Sequence, residues 1–176
     1  MKKLYIDANS MLRDAWRLGR LVLDSGWRPD ALVALWRGGA FPGVAIHEFL
    51  KVNGLDLPHF PVVCSSYTGI DEHGGVSFRG AGEVLDSFPA GSRILVVDDV
   101  FDSGDTARAV RSLFSSRKCE ARIACVYWKR SRARQGEAPD FHVRECDDWI
   151  VFPHEIEGLA SGEIAAKDPL LADLMA

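Results

Sequence analysis

Residues 93–110 read RILVVDDVFDSGDTARAV, an apolar stretch that runs straight into Asp98, Asp99 and Asp102 and then into a small turn, Ser103-Gly104-Asp105-Thr106. The spacing predicts a strand over 93–99 and an amphipathic helix over roughly 106–117. The acids then fall at or just past the carboxyl end of a strand, which is where open parallel sheets bind their ligands. If Asp98 and Asp99 keep strand geometry, their side chains point to opposite faces and suit two separate polar contacts better than a chelate. The turn offers a glycine, two hydroxyls and the N–H groups of a first helical turn, a combination suited to a phosphate group. The bland alternatives are a pair of solvated turn aspartates and a set of helix-capping side chains around Asp102 and Thr106.

Working outward, Ala31 to Trp36 (ALVALW) is a short continuous apolar run, as expected for a strand covered on both faces, and it ends at Arg37-Gly38-Gly39. Pro42 suits the first turn of a helix reaching about Lys51. Before it, a helix capped by Asn9 or Ser10 would turn Leu12, Ala15, Trp16, Leu18 and Val22 inward and stop ahead of Gly26. A further strand, PVVCSSY (61–67), leads into residues 68–82, dense in glycine and without periodicity, which read as a mobile lid. ARIACVYW (121–128) is the next strand. Strands alternating with helices predict an α/β fold with a doubly wound parallel sheet. After Lys129 the text mixes charge, turn residues and isolated aromatics and reads as a small C-terminal flap. The chain is thus expected to be one domain over 1–176, with its core at about 1–128 and flap and tail at about 129–176. The tail from Ile156 onward has no legible role beyond a helical stretch near its end.

The composition narrows the function. With 176 residues, 47% hydrophobic and 26% charged, the chain can bury a core without staples. A net charge of -4 gives no basic field for nucleic acid or an anionic membrane, so a small molecule is the expected partner. No stretch approaches the length of a membrane span and the start is not a secretory signal, so the expected location is cytoplasmic. Cys64, Cys119, Cys125 and Cys146 form no C-x-x-C pair and read as reduced thiols, and His142 beside Cys146 lacks a second ligand pair for zinc. His154 likewise carries no site reading. Neither G-x-G-x-x-G nor the P-loop pattern occurs, and Gly80-Ala81-Gly82 alone does not stand in for one.

The segment ILVVDDVFDSGDT resembles the phosphoribosyl pyrophosphate loop of the type I phosphoribosyltransferases. Arg37-Gly38-Gly39 is similar to that family's pyrophosphate loop, and Ser65-Ser66-Tyr67 to the start of its mobile catalytic loop. Lys129 ends a strand where purine members keep a lysine, and Trp149-Ile150 is similar to the base-stacking segment of the xanthine-guanine and hypoxanthine branch. The likeness spans about residues 31–155. It departs from the family at Trp36, where a small polar residue is usual, and at Asp105, a negative charge beside the expected phosphate. The tail is also longer than that branch leads one to expect, and could serve assembly.

The resemblance implies a purine salvage enzyme that joins a 6-oxopurine (guanine, xanthine or hypoxanthine) to phosphoribosyl pyrophosphate with Mg²⁺ and releases pyrophosphate. Asp98 and Asp99 would receive the ribose hydroxyls, Asp99 also meeting Mg²⁺ or its water shell. Asp102 would exchange a proton with the purine imidazole nitrogen. Ser103, Gly104, Asp105 and Thr106 would surround the phosphate. Arg37, Gly38, Gly39, Ser66 and Tyr67 would complete the phosphoribosyl pyrophosphate site, with Lys129, Trp149 and Ile150 at the base. A homodimer or homotetramer is expected. Two rivals stand beside this reading. One is a regulatory protein of the same fold that senses a nucleotide without turning it over; the other is a phospho-acceptor receiver domain, which also has a strand-ending acid pair and a later lysine.

Overall fold

The computed structural model describes residues 3–66 and 76–175. They form two compact units, Leu12–Asp147 and a smaller one made of Met1–Met11 with Asp148–Ala176. In chain order the elements are β1 (Lys3–Tyr5), α1 (Ala8–Asp24), β2 (Ala31–Trp36), α2 (Ala40–Val52), β3 (His59–Ser66), β4 (Val76–Arg79), α3 (Ala81–Asp86) and β5 (Arg93–Phe101). There follow α4 (Asp105–Ser115), β6 (Glu120–Trp128), β7 (Phe141–Glu145), β8 (Trp149–Val151), α5 (Ser161–Lys167) and α6 (Pro169–Leu174).

The larger unit holds a six-stranded sheet in the order β4-β3-β2-β5-β6-β7, parallel except for β4, which runs antiparallel to β3 at one edge. Helices cover both faces, so the central strands are apolar on both sides. Val33 and Val96 pair in register and join Val84, Leu85, Val110 and Phe114 of α3 and α4 on one face. On the other, α2 lies so close to β2 that a Cβ at Gly43 would stand 2.8 Å from the Ala34 Cβ. This is the expected doubly wound α/β fold, with one strand reversed.

Three details differ from the sequence expectation. The part of residues 68–82 that is described is not structureless, since Val76–Arg79 pairs with β3 and Ala81–Asp86 is helical; the lid reading of 68–75 lies outside the described residues. β7 extends the main sheet from within the text that reads as a flap. Finally, α1 begins earlier than an Asn9 or Ser10 cap allows, because the Asp7 carboxylate accepts a 3.0 Å hydrogen bond from the Ser10 N–H and takes the capping role.

α1 also hides a charge where an apolar stripe was expected. Asp14 is completely buried in line with Leu18 and Val22, whereas Trp16, two residues and so more than half a turn further round, is 42% exposed. The buried carboxylate is matched by Arg144 of β7, whose Nε meets Oδ2 at 2.5 Å and whose Nη2 donates to Oδ1 at 3.2 Å, and by Arg17 at 2.6 Å. Burial beside Asp14 is compensated by this fork, and the hydrogen bond raises the Arg144 pKa above its ordinary value. Arg144→Met should lower stability by about 2 kcal/mol, less than the 3–5 of a fully orphaned buried charge because Arg17 remains. Chemical denaturation checks this, and Asp14→Leu in the Arg144→Met background should recover most of the loss.

Candidate active site

β5 is longer than the 93–99 expected, and both acids of the pair lie within it. Asp98 pairs in register with Cys125 of β6. Its Oδ1 accepts a 3.0 Å hydrogen bond from the Asp99 N–H. Burial, and then the negative charge of Asp99, push the Asp98 carboxyl well above the usual carboxylate range. Two thiols border it: Cys125 is fully buried, and Cys64 of β3 is pushed up to about 11 by burial and by the Asp98 charge while a hydrogen bond to Thr106 opposes the shift. A raised thiol is a protonated, unreactive one. All four cysteines are free.

Asp99 is buried, and what it packs against explains the Arg37-Gly38-Gly39 turn. The turn leaves the end of β2 through a cis Trp36–Arg37 peptide and passes directly beneath β5. A Cβ at Gly38 would stand 2.5 Å from the Cγ and both oxygens of Asp99. At Gly39 it would stand 2.1 Å from the Val97 carbonyl oxygen and 2.8 Å from that of Leu35. The two glycines are therefore dictated by close approach rather than by an exposed turn, and they bring a bare backbone to the acid pair. Arg37 is exposed at the lip of this turn. Trp36, 50% exposed, carries its bulk outward rather than into the turn.

The phosphate-type turn forms as expected. Gly104 sits at φ 88°, a left-handed conformation that favours glycine, and starts α4 with no side chain of its own to cap it, while Ser103 Oγ accepts from the Asp105 N–H at 3.3 Å. The capping alternative for Asp102 is thus not what the structure contains. Ser103 Oγ donates to Asp105 Oδ2 at 2.7 Å, and that bond, with Arg134 and Arg108 close by, holds the Asp105 carboxyl below its ordinary range. Arg134 Nη2 lies 2.9 Å and Arg108 Nη2 3.1 Å from Asp105 Oδ1. The charge that departs from the family pattern is drawn aside by two guanidinium groups.

Asp102 lies just past β5, between two cations. Lys129 Nζ donates to Oδ2 at 3.2 Å, and Arg132 Nε stands 2.7 Å from Oδ1 without hydrogen-bond alignment. Lys129 is buried, 6% exposed, at the end of β6 where its N–H donates to the Phe101 carbonyl at 2.9 Å. The arginine-rich run after it folds back over the turn, the Arg134 N–H donating to the Ser103 carbonyl at 3.1 Å. Sequence reasoning took Lys129 from this run and passed over Arg132 and Arg134, although KRSRAR is a signal of charge next to an acidic loop.

The larger unit thus brings together Arg37, Gly38, Gly39, Asp98, Asp99, Asp102, Ser103, Gly104, Asp105, Thr106 and Lys129. Ser66 ends β3, and Tyr67 lies outside the described residues. In the smaller unit Trp149 is 49% exposed and Ile150 is buried, both on β8. Of the histidines set aside, His142 packs edge-on to Trp128 and His154 stacks on Phe152.

Comparison with known proteins agrees with this arrangement. The phosphoribosyl transferase domain family matches residues 7–159. A xanthine-guanine phosphoribosyltransferase of Ruegeria sp. (strain TM1040) is 34% identical over 165 residues, 88% of this chain and 86% of its own. The protein of the same description from Cereibacter sphaeroides is 31% identical over 81% of this chain and 78% of its own. Among solved structures, a purine phosphoribosyltransferase from Pyrococcus horikoshii superposes with a TM-score of 0.71 at 25% identity, covering 91% of this chain and 98% of the other. The chain belongs to the phosphoribosyltransferase family, type I, in its purine salvage branch, and is an enzyme. The receiver-domain alternative is set aside by that membership, and the named relatives support an enzyme over the non-catalytic alternative.

The two glycines lend themselves to a contrast. Gly39→Ala collides with backbone and should destabilise the protein by about 1–3 kcal/mol or more. At Gly38 the nearest atoms are those of the Asp99 carboxylate, so Gly38→Ala should fold but displace that carboxylate and lose most activity. Thermal melts read beside turnover separate the two effects.

Proposed function

We propose that this purine phosphoribosyltransferase transfers the 5-phosphoribosyl group from phosphoribosyl pyrophosphate to a 6-oxopurine, guanine, xanthine or hypoxanthine, with release of pyrophosphate. The observation that carries the reading is the Asp102–Lys129 pair, 3.2 Å apart. It presents an acceptor and a donor side by side, the complement of the imidazole N–H and 6-oxo group that a 6-oxopurine offers along one edge. Adenine places an amino group where the oxygen would be and meets the ammonium donor to donor.

In this mechanism Asp102 takes the proton from the imidazole nitrogen as the glycosidic bond forms, or returns it in the reverse direction. Lys129 holds the 6-oxo group while remaining close to the carboxylate. Gly38 lets the backbone approach the departing pyrophosphate, Gly39, whose own N–H donates to the Leu35 carbonyl at 2.8 Å, lets the turn pass against β5, and Arg37 adds a charge-assisted fork. Asp98 and Asp99 accept hydrogen bonds from the ribose hydroxyls. Ser103, Gly104, Thr106 and the N-terminus of α4 receive the 5-phosphate, with the Asp105 carboxylate drawn off by Arg108 and Arg134. Ser66 and Tyr67 belong to the same substrate by resemblance. Trp149 and Ile150 belong to the base by resemblance.

The donor set also fits Mg²⁺. Asp99, with Asp98 beside it, supplies hard carboxylate oxygens. Among the described residues no group of three or more His, Cys, Asp or Glu side chains could hold a metal alone. An ion here would be held by one or two carboxylates and mainly by the phosphates of the substrate. When bound it would neutralise charge gathering on the pyrophosphate.

Pyrophosphate release measured across a panel of bases tests the reading, with guanine, xanthine or hypoxanthine expected to react and adenine to be rejected. Asp102→Asn should lower turnover roughly 10²–10⁴-fold with phosphoribosyl pyrophosphate binding retained. Lys129→Ala should cut efficiency with 6-oxopurines and narrow the gap to adenine, because the buried donor that discriminates between them is gone. A parent enzyme that prefers adenine overturns the assignment of Lys129.

A further inference from the structure

The segment that follows β6 is tied to the acidic loop on both sides of Asp102. The Lys129 N–H donates to the Phe101 carbonyl at 2.9 Å and the Arg134 N–H to the Ser103 carbonyl at 3.1 Å, so residues 129–134 bracket the acid. Between those two ties the segment turns back on itself, the Arg132 and Ala133 N–H groups both donating to the Lys129 carbonyl at 3.1 Å. Its outer side is fixed as well, by the Ser131 N–H to Asp147 Oδ1 at 3.1 Å. A backbone held in this way aims its side chains from set positions.

Two of those side chains meet the Asp102 carboxylate, and they take one oxygen each. Lys129 Nζ donates to Oδ2 at 3.2 Å, whereas Arg132 Nε stands 2.7 Å from Oδ1. Oδ1 is buried, and among the described residues no hydrogen bond reaches it. A buried carboxylate oxygen in that state calls for a cause, because its hydration is lost and not replaced in kind. The guanidinium supplies the compensation as charge rather than as an aligned bond. Rotation of a carboxylate about its last bond is otherwise soft, so a cation against each oxygen is what fixes its plane. Stability is a poor account of the contact: the Arg132 side chain is 47% exposed and that of Asp102 36%, and ion pairs as open as this add little. The neighbouring arginines are engaged elsewhere, Arg130 with Glu145 at 3.5 Å and Arg134 with Asp105 at 2.9 Å.

We propose that Arg132 is a positioning residue for the transfer reaction: from a turn tied to the backbone on both sides of Asp102, it pins Oδ1 and so sets the carboxylate plane that offers Oδ2, beside the Lys129 ammonium, to the purine. The inference rests on the reading that Asp102 exchanges a proton with the base. A residue that acts only through Asp102 has nothing left to do once that carboxylate is gone, so its effect vanishes in an Asp102→Asn background. A residue that merely braces the loop keeps its effect there.

The experiment measures single-turnover rates of the full chain with guanine or hypoxanthine and saturating phosphoribosyl pyrophosphate, which separates the chemical step from product release. The parent is compared with Arg132→Met, Arg132→Lys, Asp102→Asn and Arg132→Met combined with Asp102→Asn, each with a thermal melt and a measured affinity for phosphoribosyl pyrophosphate. Arg132→Met is expected to slow the chemical step roughly ten- to hundredfold, the order that misplacing a reacting group costs, with the melt and that affinity unchanged. Arg132→Lys, which keeps a cation within reach of Oδ1 without the planar fork, should recover most of the loss. In the Asp102→Asn background Arg132→Met should alter the rate by less than about twofold. If Asp102→Asn slows the step and Arg132→Met does not, the positioning role is overturned while the reading of Asp102 stands. If Arg132→Met slows the Asp102→Asn protein by the same factor as the parent, Arg132 acts outside Asp102 and the proposal is equally overturned. If Asp102→Asn leaves the step unchanged, the reading of Asp102 fails and the inference falls with it. A slower step accompanied by a lower melting temperature and weaker phosphoribosyl pyrophosphate binding makes Arg132 a structural brace only. Should Arg132→Met not fold, Arg132→Gln, which keeps amide donors without the charge, is read in its place.

Discussion

The larger unit depends on one close approach, that of the turn after β2 to the carboxyl end of β5. Adjacent parallel strands carry their backbones about 5 Å apart, and the turn has to pass beneath its neighbour without side chains of its own. Gly39 stands against the Val97 and Leu35 carbonyls and Gly38 against the Asp99 carboxylate. This contact brings the Arg37-Gly38-Gly39 turn against Asp99, some sixty residues further along the chain.

Concentrating acids at a strand end has an electrostatic cost, and the segment after Lys129 offsets much of it. Asp98 is left crowded, its carboxyl raised by burial and by Asp99. Asp102 is flanked by Lys129 and Arg132, and Asp105 by Arg108 and Arg134. The same run of arginines that balances the turn also closes over it, so charge compensation and tertiary packing are one arrangement.

The smaller unit uses a different device. Its two-stranded sheet is too small to carry its own core, and short sheets of this kind need a further layer to be stable. α5 supplies that layer through Ile164 and through two charged side chains that grip opposite strands. The helix is seven residues long and would not form alone in water. Its stability and that of the β8 turn are therefore mutual.

The order of strands and helices from Ala31 to Trp128 was legible in the sequence because each element there follows a simple period: continuous apolar runs for strands covered on both faces, and a 3.6-residue stripe for α4. The candidate site was legible for the same reason, since acids and glycines at strand ends break those periods conspicuously. What the sequence by itself could not determine were the pairings that join distant residues. Asp14 carries no sequence signal of its burial, which rests on Arg144, 130 residues away. Trp16 reads as core until the helix phase is fixed by the Asp7 cap. β4 hides in glycine-rich text because an edge strand of four residues draws its order from β3 rather than from its own pattern. Lys167 is an ordinary tail lysine until two backbone carbonyls are brought within its reach. In each case the deciding energy is a contact between chain segments, a quantity that composition and periodicity do not contain and only tertiary structure supplies.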